Sequence, residues 1–329
     1  MQEIMKKRAL ELLSDGTVSR VLGWKKGDFV YDITPAVFEN AAELEAGFVY
    51  TAFCGVNLSK YLVSESRKEG RILVFLKPCD CYSFAQLLKE HRIIRENVYA
   101  VGIECYGKAD IDILREKTGI TTIKNVTERD GVFTVYGLGD VTKEIPVYEV
   151  MLEKCASCKS KKHPVYDELI GEEGETVEDC NRFDRVAEIE AMTAEQRFEF
   201  FRGELSRCIR CNACRNACPA CTCEKCVFDN DASGIAQKAA STSFEENMFH
   251  IIRAFHVAGR CTDCGECSRA CPQGIPLHLL NRKFIKDINE LYGQYQAGED
   301  PETRSPLTDF TYGDAEPSVV HERGGKDNA

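Results

Sequence analysis

Long hydrophobic runs are missing from this sequence. Nowhere do about 18 apolar residues follow one another, which excludes an ordinary membrane-spanning helix. The opening stretch, MQEIMKKRALELL, has no apolar core of signal-peptide length, so a cytoplasmic chain is expected. Basic residues are outnumbered, 42 Lys and Arg against 53 Asp and Glu, for a formal net charge of -11. That balance speaks against nucleic acid, which rewards clustered Lys and Arg. No GxGxxG phrase follows a strand-like run, and no set of side chains suggests a substrate pocket with acid–base machinery. With 329 residues and 43% hydrophobic content, the chain has length for two domains, each with its own core.

What the sequence does have is cysteine, 18 in all. In a reducing compartment such a number points to metal and away from disulfides. Eight of them fall in two copies of one phrase. CIRCNACRNACP places Cys208, Cys211, Cys214 and Cys218 ahead of Pro219, and CTDCGECSRACP places Cys261, Cys264, Cys267 and Cys271 ahead of Pro272. This is the bacterial ferredoxin spacing, in which three close thiolates wrap one 4Fe-4S cube and the fourth crosses to the other cube. The predicted sets are therefore Cys208, Cys211, Cys214 and Cys271 on one cluster, and Cys261, Cys264, Cys267 and Cys218 on the second. Zinc would want four ligands in two pairs, not a doubled run of four.

In chain order, residues 1–14 predict a short amphipathic helix, and VSRVLG from Val18 predicts a strand. The stretch 48–63 reads as a strand turning at Gly55 into a helix, with Cys54 as buried filler. RILVFL (71–76) and NVYAVGIEC (97–105) are apolar runs of the kind buried on both faces of a parallel sheet, each followed by a helical pattern. Such strand–helix alternation brings Cys79 and Cys105 to one sheet edge, where open α/β sheets bind ligands. Three shorter strand candidates follow, then CASC with Cys155 and Cys158.

Residues 159–192 read as a charged linker, with His163 solvated beside lysines. Thr193 and Gln196 form a capping box ahead of Phe198, Phe201 and Leu205, and Ser243 and Glu246 form another. Phe244, Met248, Ile251, Ile252 and Phe255 then read as a core stripe packed on the clusters, and Leu277, Leu280, Phe284, Ile288 and Leu291 as a closing helix. From Ala297 the chain is rich in Gly, Pro, Asp and Glu and cannot bury a core, so it is expected to be disordered or draped on a partner.

VFLKPCDCYSFAQLL, VGIECYGKAD and KCASCKSKKHPVYDELIGE together resemble the beta subunits of deazaflavin-coenzyme-reducing hydrogenases and related formate dehydrogenases. The resemblance spans roughly residues 48–175. It implies that Cys79, Cys105, Cys155 and Cys158 ligate a third 4Fe-4S cluster, with Cys81 as a substitute for Cys79. A zinc knuckle or redox dithiol at CASC stays open as the alternative. Those subunits also bind a flavin through a Ser-Gly-Gly motif that this chain does not contain. The doubled cysteine runs with their long insert resemble the iron–sulfur subunits of heterodisulfide reductases and succinate dehydrogenases.

The expected fold is an α/β N-terminal domain with a mixed or parallel sheet (1–175), a mainly α-helical dicluster ferredoxin domain (176–296) and an acidic tail (297–329). The expected function is an iron–sulfur electron-transfer subunit of an anaerobic oxidoreductase complex, of hydrogenase, formate dehydrogenase or heterodisulfide reductase type. Its expected partners are catalytic and flavoprotein subunits of that complex. The second reading is a catalytic subunit carrying FAD that acts on a deazaflavin or nicotinamide coenzyme, and the third a zinc-stabilised binding module. Six cysteines remain. Cys54 and Cys81 are single, whereas Cys221, Cys223 and Cys226, with Cys180, suggest a further metal site.

Overall fold

The computed structural model describes residues 1–175, 181–230 and 243–308. Helix α1 (Gln2–Ser14) buries Met5, Ala9 and Leu12, one face at helical spacing. Strand β1 (Arg20–Lys26) pairs antiparallel with β2 (Ile33–Phe38), and α2 (Ala41–Gly47) follows, its Asn40 side chain accepting from the Glu43 amide. After the short α3 (Leu62–Glu65) comes β3 (Ile72–Leu76), every residue of which is buried, as its unbroken apolar run requires. Helix α4 (Pro78–Lys89) starts directly at the strand end, with Pro78 in the first turn, where its missing N–H costs nothing. Strand β4 (Val98–Ile103) then runs parallel to β3.

Asp110 caps α5 (Ile111–Thr118) by accepting from the Asp112 and Ile113 amides. Strands β5 (Ile123–Arg129), β6 (Val132–Gly137) and β7 (Thr142–Pro146) form a separate antiparallel sheet around Ile123, Phe133, Val135 and Ile145. Helix α6 (Glu153–Ala156) carries Cys155, and β8 (Glu168–Ile170) joins β4 in parallel, completing a five-stranded sheet of order β2-β1-β3-β4-β8. The remainder of the described chain is helical: α7 (Asp184–Ala191), α8 (Ala194–Leu205), α9 (Ala213–Ala217), α10 (Ser243–His256), α11 (Glu266–Arg269) and α12 (His278–Tyr292). The architecture is thus an α/β part with a mixed sheet, followed by a mainly helical part.

Several expectations need correction. The stretch 48–63 forms no strand; a lone bridge at Phe48 and a 3₁₀ turn at Ser59–Tyr61 stand in its place. The presumed linker contains β8 and α7, and His163 within it is buried, not solvated. On α10 the buried face holds Phe249, His250, Arg253 and Ala254, while Phe244 and Phe255 are 68% and 60% exposed. The stripe read from the sequence therefore lies beside the true packing face. The capping box at Thr193 and Gln196 is present, although Phe198 on the same helix is exposed. The side chains of Ser243 and Glu246 lie outside the described residues, as does the tail beyond residue 308. Its first part packs: Lys89 Nζ donates to the Asp300 and Thr303 carbonyls at 3.0 and 2.8 Å.

Candidate metal centres

The ends of β3 and β4 lie side by side, so Cys79 in the first turn of α4 and Cys105 just after β4 reach the same edge. The loop through α6 brings Cys155 and Cys158 to that place. The four thiols line one narrow cavity of about 20 Å³, together with Lys77, Lys108, Lys154 and Lys161. Cys81 does not join them; two residues on along α4, it is buried with Sγ 3.0 Å from the Val165 carbonyl. Burial drives the Cys79 thiol well above the ordinary range, with Asp80 adding and Lys154 and Lys77 opposing. Burial likewise pushes Cys158 up to about 12 and raises Cys155. Cys79, Cys155 and Cys158, desolvated thiols that resist ionisation alone, join Cys105 and the surrounding lysines in a donor set that a metal cluster would neutralise.

His163 supports this edge. Its Nε2 lies 3.2 Å from the carbonyls of both Leu76 and Ile103, the last residues of β3 and β4, so Nε2 carries the hydrogen. Lys77 is fully buried under Trp24 and pairs with Asp80 at 2.7 Å while donating to the Val56 carbonyl. Neither role was readable in the sequence, because the partners come from other segments.

The doubled runs share one backbone device. Arg210 and Asn212 in the first, and Asp263 and Gly265 in the second, occupy matching positions, and all four have positive φ, between 52° and 65°. Alternating left-handed residues turn successive amides inward, and such a concavity suits an anionic cluster. The Arg210 amide accordingly donates to Cys208 Sγ at 3.4 Å.

The cysteines of the two runs interleave. Burial raises the Cys214 thiol; Arg253 opposes that, while Cys208, Cys271 and Cys211 reinforce it. Cys261 is raised by burial and then by Asp263, Cys264 and Cys267. Cys218 is held up by its contact with Cys221, and it also feels Cys264 of the other run. Cys271 thus acts on Cys214 of the first trio, Cys264 of the second trio acts on Cys218, and Cys214 acts on Cys267.

Helix α10 supplies two residues that sequence reasoning missed. Arg253 Nη1 lies 3.4 Å from Cys214 Sγ, and Nη2 donates to the Cys214 carbonyl at 3.2 Å. His250 Nε2 lies 3.2 Å from Cys208 Sγ, and burial, with Arg253 and Arg210, lowers its imidazole to about 3. An i, i+3 pair of cationic residue types on the helix between the runs was the available signal.

Cys221, Cys223 and Cys226 line a separate cavity of about 410 Å³ with Lys60, Arg215, Arg253 and Arg260. Among the described residues, no trio of His, Cys, Asp or Glu is drawn together as a cage for one metal ion. Cys180, named as a fourth ligand there, lies outside the described residues. Cys54 is buried, with its sulfur near Thr51 and the Val49 carbonyl. None of the cysteines in the described residues is bridged. No helix among those residues is long and apolar enough to cross a membrane.

Residues 204–275 match the 4Fe-4S dicluster domain family. The chain is 25% identical over 340 aligned positions to the F420-dependent formate dehydrogenase subunit beta of Methanocaldococcus jannaschii, covering 86% of this chain and 88% of that one. It is 24% identical over 362 aligned positions to the F420-dependent formate dehydrogenase 1 subunit beta of Methanococcus maripaludis, covering 90% of each. A chain of the F420-reducing NiFe hydrogenase complex from Methanosarcina barkeri is similar in structure at a TM-score of 0.39 and 14% identity, over 57% of this chain and 73% of that chain. The chain is an iron–sulfur electron-transfer subunit of the oxidoreductase type, and its dicluster part carries 4Fe-4S clusters.

Proposed function

We propose that this chain works within an anaerobic, cytoplasmic oxidoreductase complex as a three-centre relay between a catalytic subunit and a flavoprotein. In this reading residues 1–175 hold one 4Fe-4S cluster on Cys79, Cys105, Cys155 and Cys158. Residues 176–296 hold two more, on Cys208, Cys211, Cys214 and Cys271, and on Cys261, Cys264, Cys267 and Cys218. When bound, each cluster supplies a one-electron store whose potential follows charge, burial and hydrogen bonding to sulfur. The names of the relatives suggest formate oxidation and a deazaflavin coenzyme as the two ends of the path.

The observation that carries the reading is the convergence of four cysteines from three separate segments on one lysine-ringed cavity. Its neighbours give an order. Lys154, which lines that cavity, pairs with Glu266 between Cys264 and Cys267, so the sheet-edge centre adjoins the second run, which would link it to the first. The test is iron content and electron paramagnetic resonance of the anaerobically purified chain. About twelve irons are expected, and Cys105→Ala is expected to lose about four while both ferredoxin signals persist. About eight irons in the unaltered chain would remove the sheet-edge cluster from the proposal.

A second reading, catalysis with FAD on this chain, draws on a cavity of about 340 Å³ lined by Tyr50, Thr51, Phe53, Val126 and Phe133. It adjoins the sheet-edge centre, since Lys108 lines the cysteine cavity, donates to the Thr51 carbonyl at 3.2 Å and lies over the Tyr50 ring. Flavin absorbance in the pure chain and turnover of free coenzyme without other subunits would favour it.

A further inference from the structure

The sheet-edge cavity and the second cysteine run are joined through buried charge. Lys154, the residue before Cys155, is almost wholly enclosed; its ammonium donates to the Gly55 carbonyl at 2.7 Å and pairs with Glu266. Glu266 is 1% exposed, lies between Cys264 and Cys267, and is held from its other side by Arg269 Nε and Nη2 at 2.8 and 2.9 Å. Backbone geometry permits the approach. Gly265 has φ +65, and a Cβ there would stand 2.4 Å from the Lys154 Cβ, so the second run packs directly on the lysine stem.

The two ends of the pair face different centres. Lys154 lines the cavity of Cys79, Cys105, Cys155 and Cys158, whereas Glu266 sits on the second run itself, flanked by Cys264 and Cys267. A separate buried contact fixes the approach of the two parts. Ser83 Oγ donates to the Cys79 carbonyl at 3.1 Å, which leaves the Thr262 hydroxyl, 2.9 Å away and next to Cys261, as donor to Ser83.

We propose that Lys154 and Glu266 form a fixed internal dipole that separates the reduction potentials of the two adjacent centres, raising that of the sheet-edge centre and lowering that of the second-run cluster. Reduction adds one negative charge to a centre, so a nearby cation stabilises the reduced form and a nearby anion opposes it. One electron leaves the second-run cluster as one arrives at the sheet edge, and the pair biases that exchange toward the sheet edge. Both charges are enclosed, so dissolved salt screens them little, and the separation persists at high ionic strength. Lys154 and Glu266 are positioning residues here, since neither is a sulfur ligand. The proposal rests on the sheet-edge centre holding a cluster.

The experiment is a redox titration of the anaerobically isolated full chain, followed by electron paramagnetic resonance, with iron counted on every sample. Arg269 still holds Glu266 when Lys154 is neutralised, so Lys154→Met leaves no bare carboxylate. In that variant the reduced-to-oxidised ratio of the sheet-edge centre at fixed potential is expected to fall about tenfold, a downward shift of about 59 mV for one electron. In Glu266→Gln the same ratio for the second-run cluster is expected to rise about tenfold. The exposed pair member Lys117, changed to Met, is expected to move neither. Unchanged midpoints in Lys154→Met at full iron content would overturn the proposal, as would equal shifts of both centres. If Lys154→Met fails to assemble, Glu266→Gln decides, and an unmoved second-run midpoint counts against the dipole. Failure of the underlying three-centre reading shows earlier and separately, as about eight irons and two signals in the unaltered chain.

Discussion

His163 closes the ends of β3 and β4 with one N–H shared between two carbonyls, and burial lowers its imidazole pKa, with Glu173 opposing. The folded chain therefore binds this proton less readily than the unfolded chain. Stability from the neutral ring is complete above the ordinary histidine pKa of about 6.5 and is lost as pH falls below it. Unfolding by urea at pH 7.5 and at pH 5.5 should show the unaltered chain losing more stability on acidification than His163→Gln does. Equal pH dependence would mean the ring is not held neutral. The cysteine runs were legible because their spacing is local. His163 was not, since its carbonyl partners lie 87 and 60 positions away, and Lys154, whose partner Glu266 lies 112 positions on, was invisible for the same reason.

Among the elements, β3, β4, α4 and α5 were readable from unbroken apolar runs and helical periodicity, which act within about a dozen residues. β8 escaped because a three-residue strand among charges carries no pattern of its own; pairing with β4 creates it. The packing face of α10 was misplaced because the clusters' surroundings call for Arg253 and His250, residue types that a hydrophobic count excludes. The segment after α12 was read as unable to pack, yet Ala297 is 2% exposed and Gly298 lies against α4. With φ +79 at Gly298, a Cβ would fall 1.9 Å from the Tyr82 carbonyl oxygen, which is backbone and cannot yield. Gly298→Ala is expected to cost more than about 2 kcal/mol of local packing and to release this segment. Limited proteolysis should then cut near residues 293–303 while cluster spectra stay as they were; an unchanged cleavage pattern would show that Gly298 does not hold this segment against α4.

The whole molecule places its charges unevenly, with a net charge of -11 for the chain but buried or half-buried Lys77, Lys154, Arg253 and Arg269 gathered at the cysteine centres. Such cations offset the negative charge that thiolate-bound clusters carry, which the desolvated thiols resist on their own. The two halves differ in what else holds them together. The sheet half has a continuous apolar core from Met5 to Ile170 that includes β1, β3 and β4. In the helical half the core itself contains Cys214 and Cys267, with Cys208 and Cys271 packed against it, so under the proposed ligand sets part of its interior is ligand. Where ligands are the core, metal binding is folding free energy. Stripping iron is therefore expected to leave β1, β3 and β4 protected in hydrogen exchange while amides of residues 204–275 exchange within the shortest labelling time. Uniform loss of protection along the chain would show instead that the sheet half depends on the clusters as heavily as the helical half, and that its apolar core is not self-sufficient.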